Sequence, residues 1–177
     1  MTSLLTLGHG TLDRAGLTSQ LHAAGVELLV DVRRFPGSRR NPDVSRDALP
    51  GWLPDEGVDY RWAEDLGGRR RLTDPDASPD SWWQVEAFRA YAGHTRTPRF
   101  RAALDELLAD AALRRTVILC SETVWWRCHR RVVSDVVVLA HGVDVRHVMP
   151  AGRVVEHRPS SGARATSDGD VVWDGQA

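Results

Sequence analysis

Apolar and polar positions along this chain alternate between strand-like runs and helix-like stripes. Ser3–Leu7 is a short apolar run ending at Gly8-His9-Gly10. Val26–Val32 is nearly continuous in apolar residues, the pattern of a parallel strand buried on both faces. Between them Leu17, Leu21 and Ala24 share one helical face, with Thr11 placed to cap the helix and Gly25 to end it. Val58–Trp62 alternates as a third strand and Thr116–Cys120 reads as a fourth. Val143, Val145 and His147 give a fifth that stops before Pro150. Further helices are predicted from Ser45 toward Asp55, with Pro50 weakening the middle, and over Trp82–Gly93. Another is capped by Thr97 and carries Phe100, Leu104, Leu107 and Ala111. The last runs through Val132, Val133, Val136 and Val137 to Gly142.

Strands that alternate with helices predict an α/β fold, a single Rossmann-like three-layer domain with a mainly parallel sheet of about five strands. Residues 1–150 make up that domain. Residues 151–177 are a Gly-, Ser- and Arg-rich tail, expected to be partly disordered, with Val171–Trp173 as its anchored piece. Ligands of such sheets bind outside the carboxyl ends of the strands. Four clusters with chemical capacity follow predicted strands on that edge.

Composition narrows the function classes. The chain has 177 residues, enough for one core, and a net charge of -1, so no whole-molecule field favours nucleic acid or an anionic membrane. All 23 basic residues are arginine, a bias that base composition explains as readily as function. Met1–Leu7 lacks a basic stretch before a long apolar run, and no segment approaches the roughly 20 apolar residues of a membrane span, so neither export nor insertion is expected. With only Cys120 and Cys128, reduced thiols in the cytoplasm are the expectation.

The first cluster is Gly8-His9-Gly10-Thr11, where a tight turn before a helix offers unpaired amides to an anion. No Gly-x-Gly-x-x-Gly follows, so a dinucleotide site is not indicated. The second is Asp31-Val32-Arg33-Arg34 with Arg39, Arg40 and Arg46 beyond it. A carboxylate at the end of a buried strand needs a partner, and guanidinium groups recognise phosphate or carboxylate bidentately. The third is Glu64-Asp65-Leu66-Gly67-Gly68 followed by Arg69-Arg70-Arg71. Each of the three also reads as an ordinary turn or solvated loop.

The sharpest cluster is Cys120-Ser121-Glu122 with Cys128-His129-Arg130-Arg131, at a strand end and the start of the next helix. A thiol at a helix N-terminus beside His or Arg is acidified, so either Cys120 or Cys128 is a candidate thiolate nucleophile. Glu122 is placed to act as an acid or base or to orient His129. Both cysteines equally suit plain packing. Zinc held by Cys120, Cys128, His129 and His9 is a minor option, because adjacent residues on a helix point about 100° apart and no Cys-x-x-Cys pair exists. Trp125 and Trp126, between the cysteines, are candidates for a cleft wall, and Trp82-Trp83 for base stacking, with one member of each pair assigned to the core.

Taken in order, Gly8-His9, Asp31-Val32-Arg33 with Pro36 and Asn41-Pro42, Leu66-Gly67-Gly68, Cys120-x-Glu122 and Cys128-His129-Arg130 resemble the bacterial and archaeal family catalogued as domain of unknown function 488. The resemblance runs from about Leu5 to Val148. It implies a compact α/β domain and brings no established substrate, cofactor or reaction. It also implies a hydroxyl residue after the Gly-His pair, where this chain has Gly10 followed by Thr11.

The resulting expectation is an enzyme, a hydrolase or transferase, acting on a phosphorylated small molecule or a nucleic-acid-derived ligand without a resident cofactor. Asp31, Cys120, Glu122 and His129 are its candidate chemical groups. Gly8, His9, Arg33, Gly67, Gly68, Cys128 and Arg130 are its candidate ligand contacts. A nucleic-acid-binding module without catalysis and a thiol redox protein using Cys120 and Cys128 are the alternatives.

Overall fold

A computed structural model describes residues 3–176. Five strands run parallel in the order β3-β2-β4-β1-β5: β1 Ser3–Gly8, β2 Leu28–Asp31, β3 Asp59–Trp62, β4 Thr116–Cys120 and β5 Asp144–Val148. A sixth, β6 Val154–Glu156, adds antiparallel to β5 at the edge. The α/β class and the mainly parallel sheet are as expected, with one strand more than the pattern indicated.

Both faces of the sheet are covered. On one, Leu5, Leu7, Leu29 and Leu119 pack against Leu17 and Leu21 of α1 (Arg14–Ala23) and against Trp52. On the other, Leu4, Val30 and Ile118 meet α3 (Glu86–His94), α4 (Pro98–Leu113) and α5 (Arg130–His141). Because side chains alternate along a strand, Thr6 shares the face of Leu4 and points toward α5. His147 likewise shares the face of Val145 and stands opposite Thr6 in the β1–β5 register.

Three local readings change. Asp13, not Thr11, caps α1 by accepting from Gly16 N at 2.8 Å. The chain from His9 to Leu12 is instead closed into a turn by a 2.8 Å hydrogen bond from Leu12 N to His9 O, which leaves Thr11 exposed. The segment from Ser45 to Asp55 holds one helical turn, α2 (Leu49–Trp52), because Pro50 fits only a first turn and Pro54 begins a new one. α3 starts at Glu86, since Trp82 N donates to Trp173 O and Trp83 N to Asp80 O before it.

The tail carries β6 and a hairpin of β7 (Ala163–Ala165) with β8 (Val171–Trp173). Trp173 is fully buried, and its indole donates to Asp135 on α5 at 2.8 Å. Among the described residues no helix is long and apolar enough to cross a membrane.

Candidate functional site

The carboxyl ends of β1, β2 and β4 converge, and the loops after them and after β3 bring all four clusters together. At the end of β2, Asp31 is fully buried, and a carboxylate there needs donors for both oxygens. It receives Arg33 N at 3.1 Å, Arg33 Nε at 2.8 Å, Arg33 Nη2 at 2.6 Å and the Tyr60 hydroxyl at 2.9 Å. Arg33 also donates to Val44 O at 2.7 Å and to His9 Nε2 at 3.2 Å. Carboxylate and guanidinium thus bond to each other and to the loop they fold, and Arg33 also lines the cavity described below. Burial and then the Arg33 charge hold His9 below its ordinary pKa, consistent with a neutral ring that accepts from Arg33 and donates from Nδ1 to Gly10 O at 3.0 Å.

The second buried arginine is different. Arg130, at the start of α5, is 1% exposed and has no carboxylate partner among the described residues. Its backbone N and Nε donate to Cys128 Sγ at 3.5 and 3.4 Å, Nη1 reaches Thr6 Oγ1 at 3.4 Å, and Nη2 donates to Glu122 O. Cys128 Sγ lies 3.0 Å from Cys120 Sγ and 3.5 Å from His129 Nδ1. Burial alone would raise the Cys128 thiol. The hydrogen bond from Cys120, the His129 ring and the Arg130 guanidinium outweigh it and bring Cys128 well below the usual thiol range. Cys120 moves the opposite way, raised by donating to Cys128 and by its own burial. His129 donates from Nε2 to Val32 O at 3.0 Å, so its ring is fixed with Nδ1 toward both sulfurs.

Three glycines let these parts close up. A Cβ at Gly8 would collide with the Glu122 carbonyl, and one at Gly68 would press on the His129 ring. Gly67 lies as tightly on the Arg34 backbone. All three serve close approach of chain segments. At Gly10 a Cβ would meet the Thr123 hydroxyl, so a hydroxyl stands beside the Gly-His turn although Thr11 points to solvent.

Above the sulfurs opens a cavity of about 310 Å³. Its walls are Phe35, Phe88 and Tyr91, its rim Arg34, Arg69 and Arg127, and Glu122 is its one carboxylate. None of the three rim arginines forms an ion pair among the described residues. Phe35, 61% exposed, lies under the guanidinium groups of Arg34 and Arg69. A wider groove of about 940 Å³ adjoins across Arg34, Phe35 and Arg69 and continues to Arg70 and Arg71. Arg39 and Arg40 stay exposed outside both. Trp82, Trp83, Trp125 and Trp126 line neither of these: Trp83 stacks on Phe88, and Trp125 stacks on His147 with ring centroids 4.2 Å apart.

Behind Arg130 runs a buried chain that the sequence reading did not include. Thr6 Oγ1 and His147 Nδ1 are 2.7 Å apart, His147 Nε2 and His157 Nδ1 3.0 Å, and His157 Nε2 and Asp135 Oδ1 2.8 Å. With both rings neutral every proton finds an acceptor in one direction, from Arg130 through Thr6, His147 and His157 to Asp135. Burial, His157 and Arg130 hold His147 down at about 3. The available signal was polar residues inside apolar patterns: Thr6 in Ser3–Gly8, His147 in Asp144–Val148 and Asp135 amid the valines of α5.

No curated protein and no solved structure matches the chain. The family profile described as "Domain of unknown function DUF488" matches residues 13–137, which take in the Asp31-Arg33, Gly67-Gly68 and Cys120–Arg130 clusters. The chain therefore belongs to the DUF488 family.

Proposed function

We propose that this protein is a cytoplasmic thiol-dependent enzyme, a hydrolase or transferase, that uses Cys128 to attack a phosphorylated or nucleic-acid-derived ligand. One observation carries the reading: Arg130 is buried without a carboxylate, and a buried guanidinium requires an anion. The group against it is Cys128 Sγ, so the thiolate is the resting form. Arg34, Arg69 and Arg127 supply cationic partners for the anionic part of a ligand, and Phe35 and Phe88 an apolar wall for its remainder.

Chemically, the Cys128 sulfur lone pair forms a bond to the phosphoryl phosphorus as the phosphorus–oxygen bond to the leaving group breaks. Glu122, the one carboxyl lining the cavity, relays a proton from solvent to the departing oxygen. Water or a second acceptor, giving up its proton to the Glu122 carboxylate, then takes the phosphoryl group and frees the thiolate. A second reading is favoured by the 3.0 Å between the sulfurs. Attack of Cys128 on a substrate disulfide, resolved by Cys120, yields an internal disulfide and two substrate thiols.

The test is alkylation of the reduced full chain by iodoacetamide at pH 7, followed site by site. Cys128 is expected to react at least tenfold faster than in Arg130→Met, equivalent to about 1.4 kcal/mol, and to be shielded by a nucleoside monophosphate or inorganic phosphate. Equal rates in the two proteins would show that Cys128 is not the anion Arg130 holds. Shielding by a small disulfide reagent alone, with loss of two thiols, would move the reading to redox chemistry.

A further inference from the structure

Cys120 Sγ, Cys128 Sγ and His129 Nδ1 all lie within 4.8 Å of one another. Adjacent helical residues point about 100° apart, which counts against a shared metal only if Cys128 and His129 both sit in a helix. They do not: Cys128 is extended, with φ -126° and ψ 154°, and His129 is the residue before the first turn of α5. An extended residue followed by a cap can aim two consecutive side chains at one point.

A second, independent feature concerns the proton. Val32 O can only accept, so His129 Nε2 carries a hydrogen, and Nδ1, the nitrogen facing both sulfurs, is the one free to serve as a metal donor once any proton on it is released. A backbone carbonyl that fixes the far nitrogen of a ligand histidine is the usual outer support of a metal site. Around a tetrahedral ion with sulfur at about 2.3 Å and nitrogen at about 2.0 Å, sulfur–nitrogen separations come to about 3.5 Å and sulfur–sulfur to about 3.8 Å. The two sulfur–nitrogen distances are 3.5 and 3.8 Å. The sulfurs, at 3.0 Å, need to spread by roughly 0.8 Å, within reach of a side-chain rotation. All three residues line the cavity, so the fourth position faces the cleft. His9 takes no part, because its Nε2 is bonded to Arg33.

We infer that Cys120, Cys128 and His129 form a binding site for one thiophilic divalent cation, zinc being the chemical type, whose occupancy masks the Cys128 sulfur. Two sulfurs and one imidazole select such an ion over magnesium or calcium. The site stands on geometry; only the masking rests on Cys128 being the nucleophile.

Cobalt(II) tests the site directly. Titrated into the reduced, chelator-treated full chain, it is expected to bind one equivalent, with a thiolate charge-transfer band in the near ultraviolet and the intense visible bands of a tetrahedral ion. Zinc should then bleach them. Cys120→Ser, Cys128→Ser and His129→Ala should each weaken cobalt binding at least tenfold, and unchanged thermal melting of His129→Ala in the absence of metal shows that the loss is one of ligation. Binding well below one equivalent, or a weak octahedral spectrum, overturns the inference. So does an unchanged titration of His129→Ala. Iodoacetamide separates the two readings. Fast alkylation that zinc blocks and a chelator restores supports both, fast alkylation indifferent to zinc removes the metal site alone, and slow alkylation of the metal-free chain removes the nucleophile alone.

Discussion

Arg33 and Arg130 stand at neighbouring strand ends, both buried, and their environments divide the cleft into two kinds of structure. Arg33 is matched by a carboxylate that receives four hydrogen bonds in all, and it ties the loop after β2 to Val44 and His9. Arg130 is matched by a thiol sulfur, a main-chain carbonyl and a hydroxyl. A carboxylate partner satisfies a buried guanidinium completely and leaves nothing to react. A thiol sulfur accepts from it best as a thiolate, which under the proposed function is the nucleophile beneath the cavity. The same residue type thus pairs with a carboxylate just after one strand and with a sulfur at the start of the helix that follows the next.

The largest expected effect breaks the scaffold half. Asp31→Ala leaves Arg33 buried without its anion and should cost about 3–5 kcal/mol in denaturant unfolding. Asp31→Leu combined with Arg33→Met should cost less than Asp31→Ala alone, because no uncompensated charge remains. A double variant as unstable as the single one would mean that the pair acts through packing rather than charge.

Next comes acid sensitivity of the chain behind Arg130. An unfolded histidine takes a proton near 6.5, whereas His147 resists protonation until about 3. The unfolded state therefore binds more protons between those values. Stability from this residue is fully present above pH 6.5 and falls as pH drops, by up to about 4 kcal/mol near pH 3. His147→Gln should lower stability at pH 7 yet flatten that acid limb in thermal melts against pH. An equally steep limb in the variant would assign the acid sensitivity elsewhere.

The smallest effect marks the edge of the comparison. Arg39→Ala and Arg40→Ala, on the same loop as Arg33 but exposed, should change stability by less than about 0.5 kcal/mol. Cys128 alkylation should proceed at the wild-type rate in both. A marked slowing would show that the cationic rim extends farther than Arg34, Arg69 and Arg127.

Much of this molecule was legible in the sequence, for a physical reason. Strands buried on both faces must be continuously apolar, and helices on a sheet must carry one apolar stripe, so β1, β2, β4 and α4 follow from residue order alone. Their alternation dictates the parallel α/β class and places Gly8, Asp31, Gly67 and the Cys120–Arg130 segment at one sheet edge. The sequence also sufficed to single out Cys128, His129 and Arg130 as a chemical group.

Partnership was decided only by tertiary structure. Asp31 and Cys128 each stand two residues before their arginines, but the rest of each arginine's shell, Val44 and His9 for Arg33 and Thr6 and Glu122 for Arg130, depends on which loops meet. The same holds for the chain from Thr6 to Asp135, assembled from β1, β5, the tail and α5. Each of its members looks like an isolated polar residue in an apolar stretch, and hydrogen bonds between residues 10 to 141 positions apart leave no periodic trace in a sequence. Composition determined what had to be buried; the crossing of strands and loops determined which buried groups meet.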